Sequence, residues 1–177
     1  MKTRKQNELL ESYLSQLGGE IRPLYREIAE YLSEAGYVPK KQKSSVSFKH
    51  DLHNKQIAKM GVNTSKKRGA SPFFALRFSA CRGYSKRFDD IVGAYIAKYP
   101  ARAALCVNAG CDYCGGPADT HVYTYLSPDG KLNKHCGAYA VEIEIGIDVS
   151  GSDTDEIKKL ISEEHEYLMR YEASDRQ

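Results

Sequence analysis

Apolar positions recur at helical spacing near both ends of the chain and alternate with polar ones in the middle. Leu9, Leu10, Tyr13, Leu14 and Leu17 fall on one stripe, which Gly18-Gly19 ends. A second stripe, Leu24, Tyr25, Ile28, Ala29, Tyr31, Leu32 and Ala35, begins near Arg22. Pro23 sits in its first turn, where a missing N–H costs little. Gly36 is the natural stop. Residues 1–36 therefore predict a helical pair. Lys40, Lys41 and Lys43 then read as an exposed turn.

Residues 44–80 predict three strands. Val46, Phe48 and His50 alternate with Ser45, Ser47 and Lys49, residues 55–62 follow, and Lys66-Lys67-Arg68-Gly69 reads as a solvated hairpin tip. From Phe73 to Ala80, Phe74, Leu76 and Phe78 share one face, with Ala75, Arg77 and Ser79 on the other. A helix is expected over 85–99, capped by Ser85, with Asp89 and Asp90 in its early turns. Phe88, Ile91, Val92, Tyr95, Ile96 and Tyr99 face inward, and Pro100 closes it. A cysteine loop occupies 102–118, followed by a hairpin over 119–147 turned by Ser127-Pro128-Asp129-Gly130. A last helix over 152–173 opens on a capping-box pattern, Asp153 to Glu156, and buries Ile157, Leu160, Ile161, His165 and Leu168. Strands joined by short turns favour an antiparallel sheet. The expected architecture is a single α+β domain over 1–177, with a sheet of about five strands, helices packed on one face and a Cys-rich metal loop.

Composition narrows the class. The 177 residues, 41% apolar and 28% charged, suffice for one sizeable core and are short for two. A net charge of +3 is too small by itself to imply nucleic acid. No run approaches the roughly 18 apolar residues of a membrane span. The polar start, Met-Lys-Thr-Arg-Lys-Gln-Asn-Glu, has no apolar stretch of the secretory kind. The expected location is the reducing cytoplasm, where cysteines serve as ligands or catalysts more often than as disulfides.

Four cysteines carry the chemistry. Cys106, Cys111 and Cys114 read Cys-x4-Cys-x2-Cys, and Cys136 follows after the first part of the hairpin. Two residues between Cys111 and Cys114 let both sulfurs face one ion, and Gly115 frees the backbone to turn. Folding the hairpin back returns Cys136 to the knuckle. These four residues are the expected ligands of a structural zinc ion. His121 and His135 are substitute ligands, and Cys81 reads as a small buried hydrophobe. Around the second cysteine, Cys106 to Cys114 resembles the plant-type ferredoxin loop, including Ala109-Gly110. That resemblance implies a 2Fe-2S cluster as the alternative occupant.

Other chemistry fits less well. No Gly-x-Ser-x-Gly elbow, Walker loop, dinucleotide fingerprint or deaminase Pro-Cys-x-x-Cys occurs. His165-Glu166 begins like a zincin helix, but Arg170 stands where its second histidine belongs. Thioredoxin-like exchange needs a helix after Cys-x-x-Cys, and Gly115-Gly116-Pro117 forbids one. Arg77, Glu142, Glu144 and His165 are candidates for a polar pocket; a solvated sheet face and a hydrogen-bonded core histidine are the simpler readings. Tyr84, Tyr113, Tyr123, Tyr125 and Tyr139 surround the metal loop in sequence or read as half-buried core. Lys40–Lys43 and Lys66–Arg68 could join into a nucleic-acid stripe, but solvated loop tips account for them more simply.

From Phe73 to Ile145 the chain is similar to small bacterial α+β proteins in which a Phe-rich strand, a helix near Tyr-Ser and a Cys-x-x-Cys loop lead into a Cys-Gly strand. The matching pieces are Phe73 to Phe78, Tyr84-Ser85, Cys111 to Cys114 and Cys136-Gly137-Ala138-Tyr139. The resemblance implies one structural unit for the cysteines and no activity. A filled four-thiolate site leaves no open coordination position, which favours binding over catalysis. The expected function is a zinc-stabilised binding domain for a small molecule or protein. Redox chemistry by the same cysteines and nucleic-acid binding through the basic loops are the alternatives.

Overall fold

The computed structural model describes residues 3–65, 69–77, 85–98, 122–126, 132–136, 143–144 and 152–174. Two helices, α1 (Arg4–Leu14) and α2 (Ile21–Glu34), come first. Strands β1 (Tyr37–Gln42), β2 (Ser45–His50), β3 (Gln56–Ser65) and β4 (Gly69–Leu76) follow, and then helix α3 (Lys86–Lys98). The chain continues through β5 (Val122–Leu126), β6 (Leu132–Cys136), β7 (Ile143–Glu144) and helix α4 (Ser152–Ser174). The class is α+β, as expected. Among the described residues no helix is long and apolar enough to cross a membrane.

The helix ends follow local chemistry. Thr3 and Gln6 form a reciprocal capping box at the start of α1, with Thr3 N to Gln6 Oε1 at 2.7 Å and Gln6 N to Thr3 Oγ1 at 3.3 Å. At the other end of the pair, Gly36 has φ +87° and donates its N–H to the Ser33 carbonyl, so α2 stops where the sequence indicates.

The long strands form an antiparallel meander in the order β1-β2-β3-β4, with two-residue β7 on the outer side of β4. Two apolar rows cross it. Val46, Met60 and Phe74 are paired in register, as are Phe48, Ala58 and Leu76. All six belong to one buried cluster that also takes Leu10, Tyr13 and Leu14 from α1, Tyr25, Ile28 and Leu32 from α2, Phe88 and Val92 from α3, and Ile157, Leu160 and Ile161 from α4. One sheet face thus meets all four described helices. Between Phe48 and Lys49 the register slips by one residue, so Ile57 and Ala58 both stand against Phe48. Both are fully buried, which a bulge permits and strict alternation does not. On the opposite face the Phe73 ring lies across Gly61, where a Cβ would collide with it.

Several expectations are corrected here. Residues 37–42, where no strand is expected and Lys40, Lys41 and Lys43 read as an exposed turn, are strand β1, with Tyr37, Val38 and Pro39 buried and Lys40 to Gln42 exposed. Pro39 tolerates this because β1 is an edge strand in the described sheet. The expected hairpin is divided: β5 and β6 pair with each other in a separate two-stranded ladder, while Ile143–Glu144, within its second expected strand, joins β4 as β7. Asp153, expected to cap α4, lies inside it as its second residue, and its carboxylate and that of Glu156 reach the start of α3. Glu156 Oε1 accepts the Ser85 N–H at 2.5 Å, and Asp153 Oδ2 lies 2.7 Å from Arg87 Nη1. Gly69, expected in the tip at 66–69, instead begins β4 opposite Ser65; the rest of that tip and the hairpin turn at 127–130 lie outside the described residues.

Gly36 combines a left-handed backbone with close approach, since a Cβ there would stand 2.6 Å from His50 Nε2. Gly36→Ala is expected to cost about 2 kcal/mol, read as a lower urea midpoint with an unchanged slope.

Candidate functional site

Cys136 ends β6 directly opposite Val122, the first residue of β5. Cys136 and the start of β5 therefore lie at the same end of this ladder. His135 pairs with Tyr123 one step further in. Cys81, Cys106, Cys111, Cys114 and His121 lie outside the described residues, as do Tyr84, Tyr113, Tyr139 and Glu142. Among the described residues no group of three or more His, Cys, Asp or Glu side chains is arranged to hold a metal ion.

A second constellation comes from residues far apart in sequence. The β2–β3 loop reverses over residues 51–55, with Asn54 in the left-handed region at φ +55° and its N–H bonded to the His50 carbonyl at 2.9 Å. The reversal lays the His53 ring on His50, with centroids 4.3 Å apart and planes 8° from parallel. His50 Nδ1 accepts the Leu52 N–H, and His53 Nδ1 accepts the Lys55 N–H, each at 3.1 Å. Backbone donors at both Nδ1 atoms assign the hydrogen of each neutral ring to Nε2.

Tyr37 closes this stack edge-on, with its ring centroid 4.9 Å from His50 and 5.6 Å from His165 of α4. The Tyr37 hydroxyl is 3.3 Å from His165 Nδ1. Burial, with the Glu164 charge, pushes the Tyr37 phenol well above its ordinary range, while Arg77 acts in the other direction. The phenol therefore stays protonated and can donate to a neutral His165. Burial also pushes His165 down; His50 adds to this and Glu166 opposes it. Glu164, the neighbour of His165, is fully buried and pairs with Arg77 Nε at 2.9 Å.

The sequence places Arg77 and His165 among the candidate polar residues, and both belong to this region. Arg77 is bound to α4 rather than solvated, and His165 is the hydrogen-bonded, half-buried histidine of the simpler reading. Glu144 lies opposite Ala75 in the β4–β7 ladder. Tyr37, His50 and His53 were not singled out as site residues by the pattern. The available signal is His50-x-x-His53 spanning a strand end, a spacing that brings two imidazoles together only once the loop reverses. The rings stack on one another instead of aiming at a common point. The chemistry available to them is that of stacking and hydrogen-bonding groups that tie the loop to α4 and to the end of α2.

Comparison with protein-family models, with curated proteins and with solved structures finds no match to the chain.

The His165 environment has a definite sign. In the unfolded chain this imidazole takes up a proton near its ordinary value of about 6.5, and the folded ring does so only at lower pH. Below that ordinary value the unfolded chain holds more protons, so acid destabilises the fold. Tyr37 from β1, His50 from β2 and Glu166 on the same helix are groups that face it. Urea midpoints taken between about pH 7.5 and 5.5 are expected to fall in the native protein and to fall less in His165→Gln. Arg77→Met leaves the Glu164 carboxylate buried without its cation. That change is expected to cost about 3 kcal/mol by denaturant titration at neutral pH.

Proposed function

We propose that the chain is a cytoplasmic binding domain in which Cys106, Cys111, Cys114 and Cys136 hold one structural zinc ion. The observation that carries this reading is the pairing of Cys136 with Val122 at the open end of the hairpin. A strand pair with that register brings a late cysteine back towards the loop containing the other three, the closure that a four-thiolate knuckle requires. Cys114 and Val122 are separated by the seven residues 115–121, a short tether that begins with Gly115-Gly116-Pro117.

Zinc suits the surroundings better than a 2Fe-2S cluster. Helix α3 precedes the loop at close range and the chain carries a net positive charge, whereas the resemblance to the ferredoxin loop is confined to Cys106–Cys114. With all four positions filled by thiolates, the ion has no site for substrate, and its contribution is to folding. In this reading the Cys-rich loop is a closed cross-link beside the sheet. The domain acts by holding a partner, a small molecule or another protein.

Elemental analysis and an absorption spectrum of the purified full chain test this directly. One zinc per chain with no visible band is expected. Cys114→Ala and Cys136→Ser should each strip the ion and lower the melting temperature. Iron with a visible band would transfer the site to the 2Fe-2S reading. Metal-free protein whose melting is unchanged by either substitution would overturn both.

A further inference from the structure

Outside the histidine stack and the cysteine hairpin, the sheet has one register position at which its buried face carries a cation. Lys41 lies opposite Val46, in the row that continues through Met60 and Phe74 beneath the helices. Its neighbours in that row are buried, whereas Lys41 itself is exposed. At this corner, α1 and the β1–β2 turn leave an open groove of about 480 Å³. Leu9 and Tyr13 of α1, with Val46 and Val62 of the sheet, form its apolar floor. Lys41 and Lys43 stand at its turn end. Tyr13 is held by its hydroxyl, which donates to the Gly61 carbonyl at 3.2 Å, so that part of the floor is fixed.

Among the described residues no ion pair cancels the charge at this end. The two carboxylates of α1 are both engaged elsewhere: Glu8 pairs with Arg4 on the same helix, and Glu11 pairs with Arg26 of α2. Among the described residues no ion pair involves Lys41 or Lys43. Ser12, Gln16, Ser44 and Ser45 also line the groove, and an apolar floor with two cations at one end complements a molecule that has an aliphatic body and a single anionic head. Its volume falls in the range of small-molecule sites, roughly 300–1,000 Å³.

We infer that the groove between α1 and the β1–β2 turn binds an amphipathic carboxylate, its head at Lys41 and Lys43 and its chain along Leu9, Tyr13, Val46 and Val62. The inference deepens the binding half of the function proposed above and does not use the metal. Elemental analysis reads one and ligand titration reads the other, so either can fail alone.

Decanoate is the probe, titrated into the full chain below its micelle concentration and followed by calorimetry and amide NMR shifts. Saturable binding is expected, with the largest shifts at Leu9, Lys43, Ser44 and Val62, and weakening as salt rises. Decanol should bind at least tenfold more weakly. Lys41→Ser/Lys43→Ser should weaken decanoate at least tenfold at an unchanged melting temperature. Lys43→Ser alone, in the exposed turn, should show a smaller loss of the same kind. Leu9→Gln should weaken both ligands. Absence of saturable binding, equal affinity for decanol, or lysine variants that bind like the native chain would each overturn the inference. Self-association of the chain that decanoate does not reverse would assign the groove to a second copy and overturn it as well.

Discussion

Burial of one face of the sheet beneath the helices is the constraint on which the rest of the structure depends. The rows Val46–Met60–Phe74 and Phe48–Ala58–Leu76 present a continuous apolar surface that water cannot be allowed to cover. Each helix answers with its own stripe, and the cluster that results is shared by elements from residue 10 to residue 161. The bulge at Ile57 belongs to the same demand. By sending two consecutive residues inward, it adds a large side chain to the core at the start of β3. Tyr13 extends the arrangement with a buried hydroxyl that finds a backbone carbonyl on β3, so a polar group enters the core with its partner supplied.

At the end of the sheet near His50 the apolar layer gives way to polar contacts. Glu164 is buried because Arg77 meets it, and the histidines are tolerated there because backbone N–H groups satisfy their Nδ1 atoms. The exchange is local but its partners are not: β1, the β2–β3 loop, the end of β4 and α4 all contribute. Gly36 belongs to this junction as well as to the end of α2. The absence of a side chain there leaves room for the edge of an imidazole. A helix stop and a loop anchor are therefore the same residue, and each limits what the other can become.

Much of the fold is legible in the sequence where local rules and tertiary demand agree. The stripes of α1, α2 and α4 and the alternation of β2 and β4 are of this kind, as is Gly36. β1 is hidden because Pro39 and three nearby lysines speak against a strand, and only its edge position makes them compatible with one. The bulge is hidden because no residue type announces it. Glu156 sits at capping-box spacing yet serves another helix, which no local rule can report. The histidine stack joins residues 37, 50, 53 and 165, so its members are visible singly and their meeting is not. For the proposed metal centre, motif spacing is the whole sequence signal; of its four cysteines the described backbone includes Cys136, paired with Val122.

β1 also determines how the sheet ends. A proline seated in a ladder keeps its ring nitrogen on the side away from its partner strand. The outer rim of β1 therefore lacks a donor at its centre, and Lys40 and Lys41 stand exposed next to that gap. A foreign strand approaching there would meet an interrupted row of amides among cations. Growth of the sheet by templated addition is discouraged at this margin, and a molecule with so much β-structure near its surface is kept from polymerising through it.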